Sequence, residues 1–158
     1  MITYVKAENK AYLMTKFLDT KNVSFNQVGN DQILLRYADV LLMYAEALNE
    51  LGYDASEGSI ALKQLNATRT RAGLTELTAA DVPTQESFRK AILDERQKEF
   101  PYEGHRWFDL VRMGYAKSVL AAQGLNIQDY QLLFPIPQTE IEKVGDSKIL
   151  WQNPGYDK

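Results

Sequence analysis

Between Asp31 and Leu51, Leu34, Tyr37, Leu41, Tyr44 and Leu48 recur at the spacing of one helix face. Ala38, Ala45 and Ala47 interleave with them and are small enough to let another helix approach closely. The pattern predicts a long helix packed on more than one side, capped by Asp31 and stopped at Gly52. After a turn over Gly52 to Ser56, SEGSIALKQLNATRTRAG predicts a second helix of about four turns. Its inward positions are Ile60, Leu62 and Leu65, and Gly73 is its stop. Helix, short turn and helix make an αα-hairpin.

The pattern changes character between Thr84 and Gly114. Thr84 is placed to cap a third helix, whose apolar face gathers Phe88, Ala91 and Ile92. Further along, Glu95, Arg96 and Glu99 fall into that same sector, so the side facing the core turns ionic halfway down the helix. Pro101 and Gly104 break the helix, and a shorter one follows. It carries Trp107, Phe108 and Val111 together with Arg106, Asp109 and Arg112. Charged residues are seldom fully buried unless paired. The stretch therefore holds either an active site or a paired internal network.

The flanks are less regular. Residues 1–30 lack a sustained helical pattern and read as an irregular lead-in. Tyr115 to Ala122 continue as a short helix ended by Gly124. In YQLLFPIPQTEIE, Pro135 and Pro137 forbid helix around them and favour an extended path. The fold class expected is all-α. One domain covers 1–158, with a lead-in over 1–30, a helical core over 31–122 and an extended, proline-rich tail over 123–158.

Composition narrows the function. The 158 residues are enough to bury an ordinary core. A net charge of −3 argues against the basic stripe of a nucleic-acid binder. With no cysteine, disulfides and thiolate metal sites are excluded. Apolar runs fall well short of the roughly 20 residues that span a bilayer, and the N-terminus lacks the pattern of a secretory signal. Glu95, Glu99, Glu103, His105 and Asp109 lie close enough in sequence to invite an acid–base or metal reading. Their spacing does not support it: there is no HExxH, no repeated Glu-x-x-His, and the single histidine adjoins Arg106. Phosphate-binding glycine loops and nucleophile elbows are missing as well. No catalytic residue, metal or cofactor is assigned.

Pairing accounts for the charges more simply. Glu95 and Glu99 can meet Arg36, Arg69 or Arg71 from neighbouring helices, or Arg106 beyond the Pro101 bend. Arg36 and Glu46, the charges inside the dense pattern of the first helix, are expected to find partners across a helix interface. The structural network read from the sequence comprises Arg36, Glu46, Glu95, Arg96, Glu99, Arg106, Trp107, Asp109 and Arg112. Trp107 is read as core, whereas Tyr53, Tyr102, Tyr130, Trp151 and Tyr156 lie in turns or tail, where exposure is commoner.

The first hairpin is similar to a tetratricopeptide unit, with Tyr44, Ala45, Leu51 and Gly52 in corresponding places. Several segments together resemble one family. LLRYADVLLMYAEALNELG, LNATRTRAGL, FRKAILDERQKEFPYEGHRWFDLVRMG, and LLFPIPQTEI with QNPGY follow one another as in the C-terminal half of SusD/RagB proteins, glycan-capturing outer-membrane lipoproteins of Bacteroidetes. The resemblance covers nearly all of 31–156. It implies tetratricopeptide-like helix pairs, no catalysis, and glycan capture at the cell surface beside a TonB-dependent transporter. It also implies a lipid anchor on an upstream segment, because family members are much longer. This chain is expected to be a C-terminal portion, with oligosaccharide contacts mostly upstream, and no ligand-binding residue is carried over. Two other readings stand beside it: a tetratricopeptide-like adaptor holding a peptide in a concave groove, and a carboxylate metalloenzyme.

Overall fold

The computed structural model describes residues 4–6, 12–14, 16–17, 29, 31 and 33–156. It separates into two compact units, residues 1–99 and 100–158. The division falls after Glu99, inside the stretch that changes character in the sequence.

In the first unit, β1 (Tyr4–Lys6) and β2 (Tyr12–Met14) pair antiparallel, with Val5 opposite Leu13. Apart from this two-stranded ladder, most of the lead-in lies outside the described residues. Three helices follow: α1 (Tyr37–Leu51), α2 (Ile60–Arg71) and α3 (Gln85–Glu99). Each packs against the other two, so the hairpin of α1 and α2 is closed by α3. The core between them is Leu42 and Ala45 from α1, Leu62 and Leu65 from α2, and Phe88, Ile92 and Leu93 from α3. Burying one such large side chain contributes about 1.5–3 kcal/mol. Tyr53, in the turn after α1, rests against Phe88 and donates its hydroxyl to the Val82 carbonyl.

Local chemistry sets the helix ends. The Ser59 hydroxyl accepts from the Leu62 amide and starts α2. Thr84 Oγ1 accepts from the Ser87 amide and starts α3. Gly73, two residues past α2, takes the left-handed conformation that ends a helix (φ 77°).

Three expectations are corrected here. α1 begins at Tyr37, not near Asp31, because Arg36 is extended and its guanidinium reaches α3 instead of supporting a further turn. Ile60 is exposed rather than inward, since the buried face of α2 runs through Ala61, Leu62, Leu65, Asn66 and Thr68. Nor is α1 covered all round. Its buried face is Asp39, Leu42, Ala45 and Asn49, and much of the predicted apolar stripe, Leu34, Tyr37 and Tyr44, points outward.

The second unit contains α4 (Arg106–Arg112), α5 (Ala116–Ala121), a 3₁₀ turn over Asp129–Leu132, and α6 (Gln138–Val144). α6 corrects the expectation of an extended tail throughout 123–158. Pro137 excludes helix before it but sits at the helix N-cap, where no intrahelical N–H bond is required. Gly145 closes α6 in the left-handed region. The segment 133–136 is extended, and later side chains fasten it. Gln152 accepts from the Ile136 amide at 2.7 Å and donates to the Ile136 carbonyl at 2.8 Å. Asn153 donates to the Phe134 carbonyl and Tyr156 to that of Leu133. Gly155 lies flat against Tyr130, whose ring packs edge-on to Tyr156.

Candidate functional site

The ionic face of α3 is buried. Glu95, Arg96 and Glu99 all lie in the interior, the first two one helical turn and Glu99 two turns beyond Ile92 on the continuing inward face. Each meets an opposite charge from another helix or its approach. Glu95 accepts from Arg69 of α2 at 2.9 Å, and Arg96 donates to Asp39 of α1 at 2.5 Å. Glu99 takes Arg36 on one carboxylate oxygen and Arg71 on the other. Arg36 and Lys16 also donate to the Glu99 backbone carbonyl, capping the end of α3. Burial lowers the pKa of the Lys16 amine, the nearby Arg36 and Arg71 cations add to that, and the Glu99 carboxylate opposes it.

Polar bridges continue the pattern along the helices. Asn49 and Gln85 exchange side-chain-to-carbonyl bonds between the end of α1 and the start of α3. Asn66 holds both the amide and the carbonyl of Leu77, pinning the connector after α2. Asp39, Asn49 and Asn66 are absent from the network read in the sequence. The available signal was helical spacing: Asp39 lies three residues before Leu42, Asn49 four after Ala45 and seven after Leu42, and Asn66 four after Leu62.

The remaining candidates lie elsewhere. Glu46 is half-buried on α1. Arg106, Trp107, Asp109 and Arg112 belong to α4, in the second unit. There Asp109 is buried and accepts from Arg112 one turn later, at 3.1 and 2.8 Å. Arg106 is half-buried. Trp107 is half-buried too and, with the exposed Phe108, packs against Phe134. His105 stacks obliquely on Phe100, with 5.0 Å between ring centres. The stretch 84–114 thus contributes to two separate sets of contacts.

Carboxylates engaged by guanidinium groups are occupied as hydrogen-bond acceptors, which suits them to fixing helices rather than accepting a substrate proton. Among the described residues, no group of three or more His, Asp and Glu is placed to hold a metal ion. No described helix is long and apolar enough to cross a membrane. An open groove of about 540 Å³ runs along the outer side of α2, between Lys63, Asn66 and Thr70 and the connector residues Glu76 and Thr78. No aromatic side chain lines it. Among the described residues, exposed aromatic rings occur instead at Phe17, Tyr37, Tyr44, Tyr102, Phe108, Tyr130, Phe134 and Trp151.

The helical hairpin of α1 and α2, closed by α3, is thus locked by interhelical arginine–carboxylate pairs with their charges turned inward. The SusD family model matches residues 3–156, and the chain belongs to that family. It is 36% identical over 140 residues to SusD-like protein P2 of Formosa agariphila, covering 81% of this chain and 26% of that protein. It is 30% identical over 147 residues to the starch-binding protein SusD of Bacteroides thetaiotaomicron, covering 87% of this chain and 24% of that one. A solved laminarin-binding SusD-like protein is 36% identical, with a TM-score of 0.55 over 77% of this chain and 22% of its own. The chain spans about a quarter of the length of the curated relatives it matches.

Proposed function

We propose that this chain is the non-catalytic scaffold portion of a cell-surface glycan-capture protein, working beside a TonB-dependent outer-membrane transporter. The match to the SusD family from residue 3 to residue 156 carries this reading. Two relatives, one named for starch and one for laminarin, support a polysaccharide as the class of ligand. The inward, mutually engaged charges of α3 support a scaffold role, because they hold α1, α2 and α3 together and face one another. Oligosaccharide contacts fall mostly on the upstream region that the longer relatives carry, and so does the lipid anchor at the outer membrane.

Calorimetric titration of residues 1–158 with starch-type and laminarin-type oligosaccharides tests this. The expected result is weak binding or none. Micromolar affinity for one defined glycan would overturn the scaffold assignment and turn attention to Phe134 and Trp151.

A further inference from the structure

In the second unit, the residues Asn153 to Tyr156 make a turn closed by the Tyr156 amide, which donates to the Asn153 carbonyl at 3.2 Å. Its central residues are Pro154 and Gly155, and Gly155 has a φ of +90°. Proline first and a left-handed glycine second is the pattern of a type II turn, which brings its end residues within about 7 Å of each other. Asn153 and Tyr156 therefore start close together, and both donate to the same neighbouring segment. Asn153 Nδ2 reaches the Phe134 carbonyl at 2.7 Å, and the Tyr156 hydroxyl reaches the Leu133 carbonyl at 3.0 Å. Gln152, just before the turn, holds the amide and carbonyl of Ile136. All of these bonds end on main chain, so they fix the path of 133–136 whatever its side chains are.

We propose that this turn is a positioning clasp for Phe134, setting its ring against Trp107 and so coupling the end of the tail to α4. The choice of carbonyls carries the inference. Those of Leu133 and Phe134 belong to the two peptide planes that meet at the Phe134 Cα, and a residue has only two soft backbone dihedrals, one toward each plane. Holding both planes fixes the direction in which the Phe134 side chain leaves the backbone. Pro135 narrows the choice further, because a residue before proline is confined to extended conformations. Only the side-chain torsions then remain to place the ring. It lies against two residues at once: its centre is 6.4 Å from that of Trp107 and 6.3 Å from that of Phe108, tilted by 60° and 54°. Both separations fall in the range of favourable aromatic pairs. Successive helical residues diverge by about 100°, so Trp107 and Phe108 splay apart on α4 and the Phe134 ring bridges them. The clasp and the ring contact are thus two ends of one lever that pivots on residue 134.

The test uses the whole 158-residue chain and its own fluorescence. Trp107 and Trp151 are the two tryptophans, so Trp151→Phe leaves Trp107 as the reporter. In that background Phe134→Ala uncovers Trp107 and should shift its emission to longer wavelength. Asn153→Ala should shift it in the same direction. So should Tyr156→Phe, which removes the hydroxyl and leaves a ring to pack on Tyr130. Groups acting through one another are not additive, so either clasp variant should add little once Phe134 is alanine. Hydrogen exchange at the Leu110 amide of α4 should stay at the parent rate throughout. Clasp variants that leave the emission unmoved would overturn the proposal, as would shifts that are undiminished in Phe134→Ala. Faster exchange at Leu110 in Asn153→Ala and Tyr156→Phe would also overturn it, by showing that the turn holds the unit folded rather than placing one ring.

Discussion

The two units are held together by different means. Residues 1–99 have a core of large aliphatic and aromatic side chains, and ion pairs at its edge tie three helices together. Residues 100–158 bury far fewer large side chains, among them Phe100 and Leu110. Their chain path is fixed by side chains bonding to main chain and by glycines at tight turns, as at Gln152, Asn153, Gly145 and Gly155. A core resists change through shape and charge matching spread over many residues. A strapped loop depends on a few specific bonds, each with local consequences.

The largest effect should come from breaking a buried pair in the first unit. Asp39→Ala leaves Arg96 in the interior facing a lost partner, and a loss of about 3–5 kcal/mol is expected in urea denaturation. Glu99→Ala should cost a similar amount, about 3–5 kcal/mol, because Arg36 and Arg71 both lose their carboxylate. The double change Asp39→Leu with Arg96→Met removes the burial problem together with the pair, and stability should return to near the wild-type value. If Asp39→Ala leaves the denaturation midpoint unmoved, the distinction between a charge-matched core and a strapped unit fails.

Next comes the strap. Gln152→Ala removes two bonds to Ile136, and a loss of about 1–3 kcal/mol is expected. It should be visible as faster hydrogen exchange at the Ile136 amide and no change at the amides of α1. Exchange accelerated equally in both places would show that the units open as one.

A smaller effect of opposite sign is expected at Tyr102, an exposed residue held at φ 63°. Left-handed backbone costs a non-glycine residue roughly 1–2 kcal/mol. Glycine has its own entropic cost, so Tyr102→Gly should raise stability by less than about 1 kcal/mol. Thermal melting resolves the sign.

The smallest belongs to the surface. Arg89 grips Glu50 with two hydrogen bonds, and these hold the Glu50 carboxyl below its ordinary 4.5. A lowered carboxyl pKa gives stability that is fully present above pH 4.5 and is lost as pH falls through the folded value. The pair is exposed, so Arg89→Gln should change stability at neutral pH by no more than about 1 kcal/mol. It should also flatten the acid limb of a stability–pH curve.

The sequence made some of this legible and left the rest hidden. Helical period alone put Glu95, Arg96 and Glu99 on the side of α3 occupied by Phe88 and Ile92, and they are buried there. Which arginine serves which carboxylate depends on how far apart the helices sit, and period carries no such information. The outward face of α1 was misjudged because tyrosine, leucine and valine score as apolar whether a partner covers them or not. The start of α1 was misplaced because local capping at Asp31 lost to a long-range bond from Arg36 to Glu99. In the tail, prolines correctly ruled out helix at 135–137 but said nothing of residues 138–144, where α6 begins as soon as the prolines end.

Gly155 combines a φ of +90° with a neighbour that leaves no room: a methyl group there would come within 2.5 Å of the Tyr130 ring. Position 155 is thus a filter on sequence variation. In a library where every residue is replaced in turn, most positions in this unit should accept several amino acids, whereas 155 should accept none but glycine unless position 130 becomes small at the same time. The two sites should mutate as a linked pair, and a screen for double variants would find the second change only where the first had already made room.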